Sequence, residues 1–262
     1  WDFDGKEYVD LLAGIAVVGL GHGNEEIADV MAAQARKLVH VSNLFYQEEQ
    51  LDFAEKLLAT GHAGKAFFCN SGAEANEAAI KIARRYQRQV KGRDAWEVVS
   101  LDNCFHGRTL AALAATGKHT EGFEPLPDGF RRVPWGDLAA LEAAITPHTA
   151  AVLVEAIQGE GGVFPLGREY AQGIEALCRK HDVLLMCDEV QGGMGRSGKF
   201  WAFQHYDLTP DVITSAKALA NGLPLGAMLV TDEVAAGFDY GSHATTFGGG
   251  ALITAVGAKV LD

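Results

Sequence analysis

Cysteine and metal-binding motifs are scarce in this sequence. Its 262 residues include four cysteines, and no two of them form a C-x-x-C pair. A disulfide framework is therefore not expected, and the cysteines are typical of reduced, buried thiols in a cytoplasmic protein. The nine histidines are scattered, without H-E-x-x-H or another metal-ligand spacing. The sequence consequently predicts no metal site.

Positive charge and long apolar runs are also limited. The chain has 22 Lys and Arg residues against 34 Asp and Glu residues, a formal net charge of −12. An acidic surface argues against nucleic acid or an anionic membrane as the main partner. No apolar run is long enough to cross a bilayer, and no signal peptide is recognisable. The acidic net charge does not indicate which small molecules the protein binds.

The sequence does contain enough apolar material for a large core, since 48% of its residues are hydrophobic. We expect one large domain, with or without a small appendage. The chain begins at Trp1 without an initiator Met and ends at Asp262 within a helical pattern. We therefore expect it to be part of a longer protein.

Short apolar runs alternate with helical patterns along the chain. Helical patterns cover residues 73–90 and 168–181, each after an apolar run. Apolar runs separated by helices predict an α/β fold with a mostly parallel sheet, flanked by helices and buried on both faces. In such sheets the binding site lies beyond the carboxyl ends of the strands. The runs are KAFFCN (65–70), WEVVSL (96–101), AAVLVEAI (150–157), VLLMCDEV (183–190), DVITSA (211–216) and GAMLVT (226–231).

The segment LLMCDEVQGGMGRSG (184–198) supports two interpretations. Its second half has the G-x-G-x-x-G spacing of a dinucleotide loop, but that motif should follow its strand directly and open a helix. Here four residues separate Asp188 from the first glycine of the motif, and KFWAF follows Gly198. We therefore interpret the glycines as a turn. The first half places Asp188 at the end of a buried strand. Burial of a carboxylate is unfavourable in free energy unless a cation or a hydrogen-bond donor compensates its charge.

Polar and aromatic residues follow the first two apolar runs. Ser71 and Glu74 form an S-x-x-E capping box, which by itself explains the pair. The same helix start, with free N–H groups and small residues, would also seat a phosphate. Phe105 and Arg108 lie at the turn after the second run. The phenyl ring suits stacking on another ring, and the guanidinium suits binding a carboxylate. A core phenylalanine and a solvated surface charge explain them equally well.

Two acidic residues and one lysine complete the candidates. Glu155 lies at the end of the third run and Glu160 in the Gly-rich loop after it, and nothing local decides whether either faces a site. Lys217 is the only charged residue between positions 212 and 231, and it is the candidate cation for Asp188. Its amine either reaches solvent or is desolvated, with a lowered pKa that suits attack on a carbonyl.

Together these segments resemble class III aminotransferases, which are fold type I enzymes that depend on pyridoxal 5′-phosphate. That cofactor needs a lysine, an acid, a side chain that stacks on its ring and a phosphate-binding site, which the candidates supply. Several motifs in a fixed order are more specific than any one of them. The resemblance covers nearly the whole chain, in WDFDGKEYVDLLAGIAV, NSGAEANEAAIKIARRY, FHGRT, EAIQGEGGV, DEVQGGMGRSGKFWAFQHY, PDVITSAKALANGLPLGA and HATTFGG.

The resemblance implies a role for each candidate residue. Lys217 would bind the cofactor aldehyde and move a proton, and Asp188 would keep the ring nitrogen protonated. Gln191 would bond the phenolic oxygen, and Phe105 would stack on the ring. The cofactor phosphate would be bound by Ser71, Gly72, Ala73 and, from a second subunit, Thr246. The substrate would be contacted by Arg108, Glu160 and Thr245.

The implied reaction transfers the δ-amino group of N2-acetylornithine to 2-oxoglutarate, a step of arginine biosynthesis. Arg108 would hold the substrate α-carboxylate, and Glu160 would help the site alternate between the amino donor and glutamate. Ile15 stands where ornithine-specific members have a tyrosine, which favours an acylated substrate. Ornithine, 4-aminobutyrate or succinyl-diaminopimelate as donors, an aminomutase or decarboxylase, and a cofactor-binding domain without turnover remain alternatives.

The resemblance also implies a domain organisation. Residues 1–45 would belong to a small domain and a subunit interface, and residues 46–262 would form the cofactor-binding large domain, truncated at its carboxyl end. The C-terminal small domain of the family, which supplies an arginine for the substrate carboxylate, would be absent. We expect a homodimer with a shared active site.

Overall fold

The computed structural model describes residues 1–61 and 64–262, and its centre is a seven-stranded sheet. Within the described residues, the strands are β1 Lys65–Cys69, β2 Glu97–Leu101, β3 Phe130–Val133, β4 Thr149–Val154, β5 Ile157–Gln158, β6 Phe164–Pro165, β7 Leu184–Asp188, β8 Val212–Ser215 and β9 Gly226–Val230. The order across the sheet is β1-β9-β8-β7-β4-β2-β3. Among the described strands of this sheet, β9 alone runs opposite to the other six, so the predicted α/β fold with a mostly parallel sheet is confirmed.

All six predicted strands are present in this sheet, whereas β3 and the two-stranded β5–β6 pair were not predicted. The sequence of β3, FRRV, has two exposed arginines at its centre, and the strand lies at one edge of the sheet. An edge strand with a solvated side does not need a continuous apolar run. The apolar pattern therefore indicates the interior strands and the edge strand β1, in which Phe68 and Cys69 are buried, but not the edge strand β3.

Helices cover the sheet. They are α1 Ala13–Ala16, α2 Glu25–Lys37, α3 Glu48–Leu58, α4 Gly72–Arg85, α5 Leu110–Thr116, α6 Leu138–Ala144, α7 Arg168–His181, α8 Asp232–Ala235 and α9 Ala251–Leu261. The helical pattern at 73–90 corresponds to α4 followed by a wider turn at residues 86–90, and the pattern at 168–181 corresponds to α7. Nowhere in the described parts of the chain is a helix both long enough and apolar enough to cross a membrane.

Alternating side chains bury the sheet on both faces. In β7, Leu185 and Cys187 join one apolar cluster, while Leu184 and Met186 join the other. α7 packs into the first cluster and α4 into the second, so helices lie on opposite faces of the same strands. Because both faces are covered, the polar groups that remain accessible on the central strands are those at their ends.

Candidate active site

A cavity of about 450 Å³ lies at the carboxyl ends of the parallel strands, where the α/β fold predicts a site. Each of five strands contributes a residue at its end or shortly after it. These residues are Ser71 after β1, Phe105 after β2, Glu155 after β4, Asp188 at the end of β7 and Lys217 after β8. The strand ends thus bring together residues that are far apart in the sequence.

Asp188 is only 4% exposed, and hydrogen-bond donors answer its charge. The side-chain nitrogens Nδ2 of Asn76 and Nδ1 of His106 lie 2.8 and 2.7 Å from its oxygen Oδ2. The backbone N–H of Val190 donates to Oδ1 at 3.1 Å. The direct partners of Asp188 are therefore these donors, and Lys217, the candidate cation, acts on it through charge rather than by a direct contact.

Lys217 follows β8 and is held close to Gln191. Its ammonium nitrogen Nζ donates to Oε1 of Gln191 at 2.8 Å. Burial lowers the pKa of Lys217, although the carboxylates of Asp188, Glu155 and Glu160 partly oppose the shift. The lysine also has a positive φ of 49°, an uncommon conformation for a residue other than glycine. The desolvated amine considered from the sequence agrees with this environment.

The amino end of α4 forms one wall of the cavity. Oγ of Ser71 accepts the N–H of Glu74 at 3.2 Å, as the capping box predicts. The Glu74 carboxylate, however, accepts the N–H of Asn70 at 2.6 Å, one residue earlier than a capping box requires. The N–H groups of Gly72 and Ala73 have no acceptor within the helix, because they belong to its first turn. Both residues line the cavity, so these donors can bind an anion there.

Glycine is required at position 72 by close packing. A Cβ atom there would lie 2.7 Å from Cγ1 of Val190, the residue whose N–H contacts Asp188. A larger residue would push the start of α4 away from the end of β7. The free N–H groups and the buried carboxylate are thus held at a set separation.

Phe105 and Arg108 lie together at the cavity. The guanidinium carbon of Arg108 is 5.5 Å from the centre of the Phe105 ring, and both residues line the cavity. The backbone N–H of Phe105 donates to Oε2 of Glu155 at 3.0 Å. Burial raises the pKa of Glu155 to about 7. Glu155, left undecided by the sequence, therefore lies inside the site.

The remaining candidates lie outside this cavity. Glu160 is exposed in the loop after β5, although its charge still acts on Lys217. Thr245 and Thr246 line a second groove of about 700 Å³ beside β1. Oγ1 of Thr245 accepts a hydrogen bond from the Asn70 side chain at 3.3 Å, and Thr246 is exposed. The roles of these three residues remain predictions.

Sequence reasoning missed two polar residues of the site, Asn76 and Thr214. It noticed a third, His106, but gave it no role. Asn76 is buried in α4, and Oγ1 of Thr214 donates to its oxygen Oδ1 at 2.7 Å. His106, which belongs to the FHGRT motif, is also buried. Asn76 lies next to the buried Ala75 and one turn before the buried Ala79, so it is on the buried face of α4. A polar residue on the buried face of a helix was the available signal, since such residues need partners.

The residues of the cavity fit pyridoxal phosphate by the chemistry of their groups. The Lys217 amine suits an aldehyde, and the Asp188 carboxylate suits a protonated ring nitrogen. The free N–H groups of Gly72 and Ala73 suit a phosphate, and Phe105 offers a ring face. No second lysine lines the same cavity within the described residues.

Known proteins share both the sequence and the fold. The whole chain, residues 1–262, matches the family described as Aminotransferase class-III. The acetylornithine aminotransferase of Myxococcus xanthus is 51% identical over 265 residues, which cover 100% of this chain and 66% of that protein. A Pseudomonas aeruginosa protein named succinylornithine transaminase/acetylornithine aminotransferase is 47% identical over 264 residues, which cover 100% of this chain and 65% of that protein.

The fold is also that of a solved ornithine aminotransferase from Toxoplasma gondii, whose active site contains pyridoxal phosphate at partial occupancy. The TM-score is 0.96 at 33% identity, over 100% of this chain and 63% of that one. The chain thus spans just under two thirds of the length of the curated relatives it matches. Family match, sequence identity and fold agree, and the chain belongs to the class III aminotransferase family.

Proposed function

We propose that this protein is a pyridoxal phosphate-dependent aminotransferase that moves the δ-amino group of N2-acetylornithine to 2-oxoglutarate. The observation that carries the proposal is the convergence of a buried carboxylate, Asp188, and a partly buried amine, Lys217, in one cavity. The free N–H groups at the start of α4 provide the third polar element that the cofactor needs. The names of the Myxococcus and Pseudomonas relatives support an acylated ornithine as donor.

When bound, pyridoxal phosphate supplies an electron sink for bond breaking at the carbon that carries the donor's amino group. Lys217 would hold the cofactor aldehyde through Nζ, and its lowered pKa, which leaves more of the amine neutral, suits that role. When the donor's amino group has taken its place, the freed Nζ would take the proton of the substrate carbon and return it. Gln191 accepts a hydrogen bond from Nζ and so orients it. Asp188 holds a proton on the ring nitrogen by charge.

Arg108 and Glu160 are proposed to select substrates. Arg108 is exposed at the cavity and presents a planar guanidinium, which matches a carboxylate with two parallel hydrogen bonds. Glu160 is close enough for its charge to act on Lys217. We assign to Glu160 the alternation between donor and glutamate, and to Thr245 a place near the substrate.

We further propose a homodimer with shared active sites and a cytoplasmic location. Thr246 is exposed and lies outside the cavity of its own chain, which suits a residue that acts in the site of a partner. The groove beside it is bordered by Tyr240, which is 98% exposed, and Phe247 nearby is 63% exposed. Exposed aromatic side chains in one region favour a protein interface. All four thiols are buried and unpaired, which supports a reducing compartment.

The assignment of Lys217 is tested by covalent trapping. Borohydride reduction of the full-length protein with its cofactor should leave the cofactor mass on the peptide that contains Lys217. Lys217→Ala should abolish this labelling, because Lys217 is the one lysine among the described residues that line the cavity. Lys199→Ala, an exposed lysine in the turn after β7, is the matched control and should label normally. Labelling of another lysine in the parent would refute the assignment.

The choice of donor is tested by a panel of amines. Glutamate formation from 2-oxoglutarate should be fastest with N2-acetylornithine. N2-succinylornithine is the second candidate, because one relative carries both names. Ornithine, 4-aminobutyrate and succinyl-diaminopimelate should be slower by at least about tenfold in kcat/KM. A protein that binds the cofactor but forms glutamate from none of these donors would be a binding domain without turnover.

A further inference from the structure

We propose that Asn76 and His106 are positioning residues that hold Asp188 as an anion in one orientation and leave it a single free acceptor position. This inference rests on the proposed function, because a bound cofactor provides the ring nitrogen that the free position would meet. Neither residue needs to touch a substrate. Both act through Asp188, so their removal should change the properties of the bound cofactor.

The hydrogen bonds to Asp188 can be counted. A carboxylate offers about four lone-pair positions, two on each oxygen. Asn76 and His106 occupy both positions of Oδ2, at 2.8 and 2.7 Å. Val190 occupies one position of Oδ1 at 3.1 Å, so the remaining position belongs to Oδ1. Rotation of the carboxyl group would break all three bonds, and a donor in the cavity therefore meets the same oxygen each time.

Asn76 is itself locked in one orientation. Its nitrogen Nδ2 also donates to the carbonyl oxygen of His106 at 2.7 Å. Its oxygen Oδ1 accepts the Thr214 hydroxyl at 2.7 Å. A flipped amide would place its oxygen against two acceptors and its nitrogen against the Thr214 hydroxyl, losing the amide's bonds to Asp188 and His106. Thr214 lies on β8, so the network joins α4, the turn after β2, β7 and the strand that leads to Lys217.

The same side-chain donors contact one of the two buried carboxyl groups that line the cavity. Glu155 is 5% exposed and receives backbone N–H groups from Phe105 at 3.0 Å and Gly159 at 3.5 Å. Burial raises the pKa of Glu155 to about 7; the charge of His106 opposes this shift and the charge of Asp188 adds to it. Neighbouring buried carboxylates resist ionising together. The side-chain donors contact Asp188, and the raised pKa of Glu155 makes it the group that takes a proton.

Asn76→Asp is the decisive variant, because it replaces an amide donor with a second carboxylate beside Asp188. In the full-length protein, the dissociation constant of pyridoxal 5′-phosphate should rise by at least about tenfold. The pH midpoint of the absorbance change of the bound cofactor should also shift by about one unit. His106→Ala should change both quantities in the same direction, and Thr214→Val should do so more weakly. His106→Gln keeps a hydrogen-bond donor, so its changes should be smaller than those of His106→Ala.

Two control variants make the same chemical changes elsewhere. Gln87→Glu converts another fully buried amide to a carboxylate in the turn directly after α4, away from the cavity. Thr254→Val removes another buried hydroxyl, in α9, whose bonds are to backbone oxygens of its own helix and cap. Both should lower the thermal unfolding midpoint of the cofactor-free protein. Neither should change the cofactor dissociation constant by more than about twofold.

The outcomes separate a positioning role from a structural one. If Asn76→Asp and His106→Ala behave like the controls, losing thermal stability alone, the inference is overturned. If Asn76→Asp does not fold, Thr214→Val and His106→Ala decide: a shifted absorbance midpoint that is smaller in His106→Gln supports positioning, and an unchanged midpoint in both deciding variants refutes it. A parent protein that fails to bind the cofactor through Lys217 would refute the proposed function itself. A parent that binds it, with unaltered variants, would refute this inference alone.

Discussion

At the scale of single residues, two buried acids with raised pKa values differ in what they contact. Burial raises the pKa of Glu189 to about 8 and that of Glu155 to about 7. The two oxygens of Glu189 accept the N–H groups of Ala202 and Phe203 at 2.8 and 2.9 Å. Glu189 therefore stabilises the turn after β7, whereas Glu155 faces the cavity and is available to the site.

Glu155→Gln should remove part of the pH dependence of stability. The folded-state pKa of Glu155 is above the unfolded value of 4.5, so its contribution is fully present below about pH 4.5 and is lost as the pH rises through about 7. From pH 5 to 8, the parent should lose on the order of 1–3 kcal/mol of unfolding free energy relative to the variant. Denaturant unfolding at both pH values measures the difference. Parallel pH profiles of parent and variant would contradict the shift.

The sequence identified several reactive residues at this scale but not their supports. Lys217 stood out as the only charge within an apolar segment, and Asp188 as an acid at the end of a strand. The importance of Asn76 depends on a contact with a residue 112 positions away. No local pattern carries that information.

At the scale of elements, the start of α4 combines a helix cap with an anion site. Ser71 satisfies the N–H of Glu74, and the next donors, Gly72 and Ala73, remain free at the cavity. The positive end of the helix dipole adds to their attraction for a phosphate. The cap therefore serves both stability and binding.

Ser71→Ala should lower both stability and phosphate affinity. Loss of the cap should cost about 1 kcal/mol of unfolding free energy. Asn24→Ala is the matched control, because Asn24 caps α2 by accepting the N–H of Ile27 at 3.0 Å, away from the cavity. It should lose similar stability, with the affinity for pyridoxal 5′-phosphate unchanged. Denaturant unfolding and cofactor titration measure the two effects, and equal cofactor affinity in both variants would argue against a phosphate at α4.

Strands and helices were predictable to different degrees. The five interior strands followed from apolar runs because a sheet buried on both faces demands them, and the edge strand β1 was predicted from the same pattern. The edge strand β3, with exposed Arg131 and Arg132, has no such demand and was missed. The length of α4 was overestimated, since its pattern continues through the wider turn at residues 86–90.

At the scale of the whole molecule, the proposed homodimer predicts that two defective subunits can repair one another. Lys217 would act in its own subunit and Thr246 in the partner's site. A mixture of Lys217→Ala and Thr246→Glu proteins, unfolded and reassembled together, should regain about a quarter of the parent activity. Half of the dimers would then be hybrids, and each hybrid would have one intact site. The glutamate-forming assay measures the recovery.

The controls for this experiment are the two variants reassembled separately, which should stay inactive. Sedimentation of the parent should show a dimer. Recovery no greater than that of the separate variants would mean that Thr246 acts within its own chain or has no role in the site.

By itself, the sequence determined the α/β class, six of the seven strands of the sheet, the position of the site at strand ends and the family resemblance. These follow from hydrophobic periodicity and from motifs in which the informative residues are close together along the chain. Only the tertiary structure decided that Asn76 and His106, rather than Lys217, contact Asp188 directly. The physical reason is that these contacts join residues 112 and 82 positions apart, and the order of strands in the sheet sets which ends become neighbours.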